Sequence, residues 1–119
     1  MAINLTYHVG NNVTVSNTEM SLTVDGGSTT PQVITDAGSF SLWLSGVASM
    51  VKGDEFLFKL YEKAHASAAK EVTFTSTLTN VQGGPFTTIP LLLGAGWDMT
   101  LIRVSAADRA FYWTIRRVS

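Results

Sequence analysis

The side chains with the chemistry to catalyse a reaction are few and far apart. His8 lies near the N-terminus and His65 in an alanine-rich stretch, and neither has a second histidine or a carboxylate at the spacing a metal ion needs. The adjacent Asp54 and Glu55 would point to opposite faces of an extended chain, which is wrong for two carboxylates flanking a glycosidic bond and suits a turn instead. Serine is plentiful, but no G-x-S-x-G elbow occurs. Gly26-Gly27 and Gly83-Gly84 are followed by neither a helix nor a Lys-Ser/Thr pair, so they read as turns rather than phosphate loops. With no cysteine, thiolate zinc sites, disulfides and a cysteine nucleophile are all absent. From its residues the chain announces no reaction and is expected to hold no metal and no cofactor, while a Ser-His-Asp arrangement is neither supported nor removed by the sequence.

The elements that would position any site are strands. Arg109 to Val118 puts Phe111, Trp113 and Ile115 on one side of a pleat and Tyr112, Thr114 and Arg116 on the other. Trp97 to Val104 has apolar residues on both faces, which predicts a central strand covered on both sides or one that meets another subunit. The polar break Ser105 to Asp108 between these runs predicts a closing hairpin, with Asp98 and the Asp108-Arg109 pair able to form ion pairs at its ends.

Upstream, Ser39 to Ser45 sends Phe40, Leu42 and Leu44 inward and leaves Trp43 outward, either as cover over a sheet edge or as an anchor for a partner. Asp54 to Lys63 buries Phe56, Phe58 and Leu60, and Glu71 to Thr79 alternates apolar residues with threonine. Residues 64–69 read as a flexible loop. Glu19 to Asp25 reads as a strand ending at Gly26-Gly27, followed by a long polar connection over 26–38. Pro90 argues for a sheet edge or a bend in Pro85 to Leu93, and Val81 to Gly84 turns the chain before it. At the N-terminus, residues 3–7 and 12–16 flank a turn-like His8 to Asn11 and read as an arm or a first hairpin. The sum is about eight or nine short strands without appreciable helix, the pattern of an antiparallel sandwich or closed barrel.

At 119 residues the chain fits one domain. It is 45% hydrophobic and only 14% charged, with a mean hydropathy of +0.20. That composition is too apolar for disorder and poor enough in charge to suggest a partly covered surface. A net charge of −1 supplies no field for a nucleic-acid backbone. All eight Lys and Arg fall after residue 51, so the two ends of the molecule are expected to differ in charge. No run approaches the roughly 18 apolar residues of a membrane helix. The N-terminal MAINLTYHVGNN lacks a basic and apolar leader, and synthesis in the cytosol is the expectation.

KGDEFLFKLYEK (52–63), the threonine-rich strand after it, PLLL (90–93), GWDMTL (96–101) and DRAFYWTIRRV (108–118) together resemble small β-rich structural proteins of tailed bacteriophages. The resemblance covers roughly residues 50–118. It implies a single-domain, jelly-roll-like β-sandwich and a non-enzymatic virion component with no catalytic residue, most nearly a capsid decoration or cement protein. It further implies a homo-oligomer, dimer or trimer, that binds the major capsid protein or other virion subunits and takes no nucleic acid or membrane. Its place would be the virion, assembled in the host cytoplasm.

The expected contact segments are 1–18 and 26–38, with Trp43 and Tyr61 as aromatic anchors and Arg116 and Arg117 available to grip an acidic neighbour. The alternative is a tail-associated carbohydrate- or receptor-binding module that stacks sugars on Trp43, Tyr61 or Trp97. A small hydrolase would need histidine and carboxylates converging in a deep cleft.

Overall fold

A computed structural model describes residues 5–35, 37–45, 50–65, 67–80, 85–88, 91–94 and 96–118, with the side chains of 5–8 and 118 outside the description. The turn at Val81 to Gly84, the bend at Pro90 and the side chain of His8 therefore lie outside the described residues.

The strands are β1 (Leu5–Val15), β2 (Met20–Ser21), β3 (Gly38–Ser45), β4 (Glu55–Lys63), β5 (Lys70–Thr79), β6 (Phe86–Thr87), β7 (Leu91–Leu93), β8 (Asp98–Ser105) and β9 (Arg109–Val118). One sheet, called sheet A here, runs β1-β9-β3-β6, with β7 also on β3; the other, sheet B, runs β2-β8-β4-β5. All pairings are antiparallel. The pairs are nested: β4 with β5, β3 with β6 and β7, β2 with β8, β1 with β9. The chain is thus one long hairpin that turns back between Lys63 and Lys70, rolled so that successive pairs fall alternately in the two sheets. That is a jelly roll, an all-β antiparallel sandwich. Among the described residues no helix is long and apolar enough to cross a membrane.

The period-two pattern explains the core. Phe40, Leu42 and Leu44 of β3, Phe56 and Phe58 of β4, Met99 and Leu101 of β8, and Phe111 and Ile115 of β9 are all inaccessible to solvent. Rings from opposite sheets meet there: Phe56 and Phe111 edge to face at 5.0 Å, Phe58 and Phe86 at 5.7 Å, Phe40 and Trp97 at 4.6 Å. Each such side chain contributes about 1.5–3 kcal/mol by leaving water, and ring pairs with centroids 4.5–7 Å apart add to that.

Three expectations are corrected. The last two strands do not form a hairpin: β8 lies between β2 and β4, while β9 lies between β1 and β3 in the other sheet. Residues 106–108 cross the sandwich, because two strands whose apolar faces meet across a core carry the same alternation as two strands paired edge to edge. Second, residues 8–11 are no turn, and residues 5–15 are neither a free arm nor a hairpin. β1 runs through them and pairs with β9 from Leu5↔Val118 to Val15↔Arg109, absorbing the break in pattern as a bulge between Tyr7 and Val9. Third, the strand expected over residues 19–25 shrinks to Met20–Ser21. Both of its faces are covered, with Leu22 inaccessible and Ser21 and Thr23 only 2% and 4% exposed.

Gly10 is what lets β1 lie against β9. A Cβ there would sit 2.2 Å from the Trp113 carbonyl oxygen and 2.9 Å from the Thr114 Cα, both main-chain atoms of a central strand that cannot swing aside. Gly10→Ala should therefore cost about 3 kcal/mol, the upper end of ordinary overpacking. Urea denaturation checks this, and an unchanged midpoint would mean that β1 does not pack in this register.

Candidate functional site

Two surface features could recognise something, one on the outer face of each sheet. On sheet B, Tyr61 of β4, Lys70 of β5, Asp98 and Thr100 of β8 and Ser21 of β2 point away from the core, beneath residues 28–32 of the β2–β3 connection. Together with Glu19 they enclose a cleft of about 190 Å³.

Asp98 is its deepest group, with no solvent exposure. Its Oδ1 accepts from the hydroxyls of Ser21 and Thr23, the latter at 3.0 Å; its Oδ2 accepts from the Gln32 N–H at 3.2 Å and from Lys70 Nζ at 3.4 Å. Lys70 also donates to the Gln32 carbonyl and lies 5.1 Å from the centre of the Tyr61 ring. The main chain of Gln32 is thus held at both its N–H and its C=O. Glu19 Oε2 accepts from the Tyr61 hydroxyl at 2.6 Å and from the Thr100 hydroxyl.

Burial alone would raise the Glu19 carboxyl. The hydrogen bonds from Thr100 and Tyr61 and the charges of Lys59 and Lys70 outweigh it, so the group lies below its ordinary 4.5. Burial first, then the Glu19 hydrogen bond and charge and the Asp98 charge, push Tyr61 up to about 12. Tyr61 therefore keeps its proton at neutral pH and acts as a donor.

The cluster is a convergence of titratable groups in a cleft, which the strand pattern did not foretell. Its chemistry is that of a clasp. Asp98 accepts from four donors, the Lys70 ammonium bridges Asp98 and the Gln32 carbonyl, and Glu19 holds two hydroxyls. Proton transfer to or from a ligand would require one of these hydrogen bonds to break first.

A second clasp lies where β8 passes to β9. Buried Asp54 accepts from the Val51 N–H at 2.9 Å and from Arg109 Nε at 2.8 Å. Those two partners hold its carboxyl below the ordinary 3.8, the Val51 hydrogen bond first. This is the turn role expected of Asp54, with an ion pair added. Asp98 and Arg109, expected as possible partners, pair instead with Lys70 and Asp54, while Asp108 pairs with Arg103 at 2.9 Å.

Both Glu19 and Asp54 have depressed folded-state values, so the stability they add is present above their unfolded values and lost as pH falls through the folded ones. The urea midpoint should drop as the pH falls below about 5. Glu19→Gln should lower the midpoint at neutral pH and flatten that slope; an unchanged slope would remove Glu19 from the clasp. Tyr61 has the opposite sign, its contribution being full below 10.0 and lost as pH rises toward 12.

On the outer face of sheet A, Trp43 of β3 lies beside Thr114 of β9, which lies beside Gly10 of β1. Tyr112 and Arg116 precede and follow Thr114 on the same face. The missing side chain at Gly10 and the small one at Thr114 leave an open trough of about 550 Å³ bounded by Trp43, Tyr112 and Arg116. Trp43 is 40% and Tyr112 63% exposed. The Arg116 guanidinium stands 5.0 Å from the Trp43 ring and donates through Nε to the Thr114 hydroxyl at 3.2 Å, which fixes its direction.

Of the five side chains expected to make contacts, the fold brings only Trp43 and Arg116 together. Arg117 lies on the core side of β9, against the Phe40 ring at 5.9 Å, and donates to the Ala37 carbonyl. Tyr61 walls the cleft on the other sheet. Trp97 is corrected outright: with no exposed surface it is a core residue and cannot stack on a sugar or a partner. Sequence reasoning missed Glu19, Lys70 and Asp98 because their convergence joins residues up to 79 positions apart. The available signal was an Asp on a strand already predicted to be covered on both faces, which has to find partners. It also missed Tyr112, which was assigned only to the outward face.

The fold defines a jelly-roll sandwich with a clasped polar cleft on one face and an aromatic trough on the other. No family model and no curated protein matches the chain. Among solved structures it is similar to the crystal structure of Yersinia pseudotuberculosis-derived mitogen (YPM), with 10% identity, 96% of this chain and 84% of that chain covered, and a TM-score of 0.46.

Proposed function

We propose that this protein is a non-enzymatic structural component of a bacteriophage virion, a capsid decoration or cement protein that binds the head shell as a homo-oligomer. The observation that carries the reading is the Trp43–Tyr112–Arg116 group on the outer face of sheet A. Stiff aromatic side chains and an oriented arginine, set on the central strands β3 and β9, are what the core of a protein interface is made of. The occupied state of every cleft carboxylate supports adhesion over turnover.

Co-sedimentation with heads of the encoding phage that lack the protein tests this. The wild type should bind, and Trp43→Ala with Tyr112→Ala should reduce occupancy at least about tenfold, the loss of one or two hot spots. Absence of wild-type binding would sink the reading.

The open trough favours a second reading, a tail-associated module that binds carbohydrate. Its aromatic walls could stack on a sugar ring while Asn11, Ser45 and Thr114 offer hydrogen bonds. Glycan-array binding abolished by Trp43→Ala, without head binding, would select it.

A further inference from the structure

A sandwich has four open edges, and three of them here carry a recognisable block against pairing with another chain. Beyond β1, the N–H groups of Gly10 and Asn12 are taken by the side chains of Asp25 at 3.0 Å and Asn11 at 2.8 Å. Beyond β2, Ser21 and Ser28 exchange main-chain hydrogen bonds at 2.6 and 3.0 Å, so the chain's own connection covers the edge. Beyond β3, the edge is made of β6 and β7, only two and three residues long.

The fourth edge is β5, ten residues long, which ends sheet B; over Phe74 to Leu78 no other described strand pairs with it than β4. It has a bulge opposite Leu60 and Tyr61, after which Phe74 to Thr79 pairs regularly with β4. That run, FTSTLT, has no charge, proline or glycine to discourage pairing. Phe74 is 45% exposed although its ring lies 6.1 Å from that of core Phe58. It is one half of a core ring contact and yet close to half open to solvent.

We propose that β5 pairs with β5 of a second copy of this chain, antiparallel about a two-fold axis, joining two copies of sheet B into one eight-stranded sheet. A two-fold perpendicular to the sheet keeps core sides together, so directly opposed residues must have numbers of equal parity. Centring the axis on Ser76 sets Phe74 against the partner copy's position 78, a leucine, and Thr75 against position 77, a threonine. Apolar and threonine pairs of this kind stabilise adjacent strands. Lys70 and Glu71 then fall beyond Thr79 of the other strand, so no like charges face each other. The segment is complementary to itself, which commits the edge to a second copy rather than to an unrelated strand. The inference shares with the proposed function only the expectation that copies associate, and it stands even if head binding fails.

Sedimentation equilibrium of the full chain at about 50 µM, a concentration that populates dimers with micromolar Kd, should give twice the chain mass of 12.8 kDa. Phe74→Lys should restore the single-chain mass with an unchanged circular dichroism spectrum. Because the chain has no cysteine, Ser76→Cys provides an independent check. Opposed Cα atoms about 4.5–5.5 Å apart fall within disulfide reach, so mild oxidation should convert most of the protein to a covalent dimer, while Thr87→Cys on the opposite sheet should not cross-link. A monomeric wild type would overturn the proposal. An oligomer that persists in Phe74→Lys while Ser76→Cys fails to cross-link would also overturn it, placing the interface elsewhere.

Discussion

Asp98→Ala is expected to remove about 3–5 kcal/mol of stability, the cost of breaking a buried ion pair from one side. Domains of this size are stable by about 5–15 kcal/mol, so the variant should be at the edge of folding. Four donors lose their acceptor at once: two hydroxyls, the Gln32 N–H and the Lys70 ammonium. The hydroxyls can rotate toward other partners and the Lys70 ammonium keeps the Gln32 carbonyl as acceptor, whereas the Gln32 N–H is fixed by the chain and cannot reorient. The β2–β3 connection should therefore loosen over residues 28–34 before the rest of the molecule. Hydrogen exchange would show this as lost protection at Gln32 and Ile34, and urea denaturation would give the global loss. A double-mutant cycle with Lys70→Met isolates the ion pair. Purely additive effects would show that Lys70 and Asp98 do not interact.

Trp97→Ala should be equally damaging, at about 3–5 kcal/mol, and Trp43→Ala should cost only about 1 kcal/mol, mainly the lost contact with Arg116. In the sequence both tryptophans could be read as surface aromatics, Trp43 from the outward side of its strand and Trp97 from the start of a run with apolar residues on both faces. In the fold Trp97 has no exposed surface, packs its ring on Phe40 and exchanges main-chain hydrogen bonds with Ile34, so its loss opens the core where the β2–β3 connection is anchored. Trp43 touches only the outer face. Thermal melts separate the two variants. Acrylamide quenching supplies a second reading, because Trp43 is the one tryptophan with substantial exposure, the other two being 0% and 2% accessible. Quenching that survives Trp43→Ala undiminished would contradict this assignment.

The edge strands show why a β protein's surface is hard to read from its sequence. Threonine alternating with apolar residues in Glu71 to Thr79 signals a solvated strand, and β5 is one. Whether a strand lies at the margin of a sheet depends on which other strands reach it, and that is settled by contacts far away along the chain. The same ambiguity misplaced β1, whose glycine and asparagines look like a turn until β9 is laid beside them. In both cases local composition described the residues correctly and could not identify the neighbour.

By itself the sequence determined the all-β class, the inward faces of β3, β4 and β9 and the outward direction of Trp43, because alternation along one strand is a local property of a pleated chain; for β8, apolar on both faces, it left a central strand and a subunit contact equally open. Only the tertiary structure decided that β8 and β9 belong to different sheets, that Trp97 is core, and that Glu19, Tyr61, Lys70 and Asp98 close a single cleft. Those facts depend on pairings between segments that share no local signal, and a strand's period of two is the same whichever partner it finds.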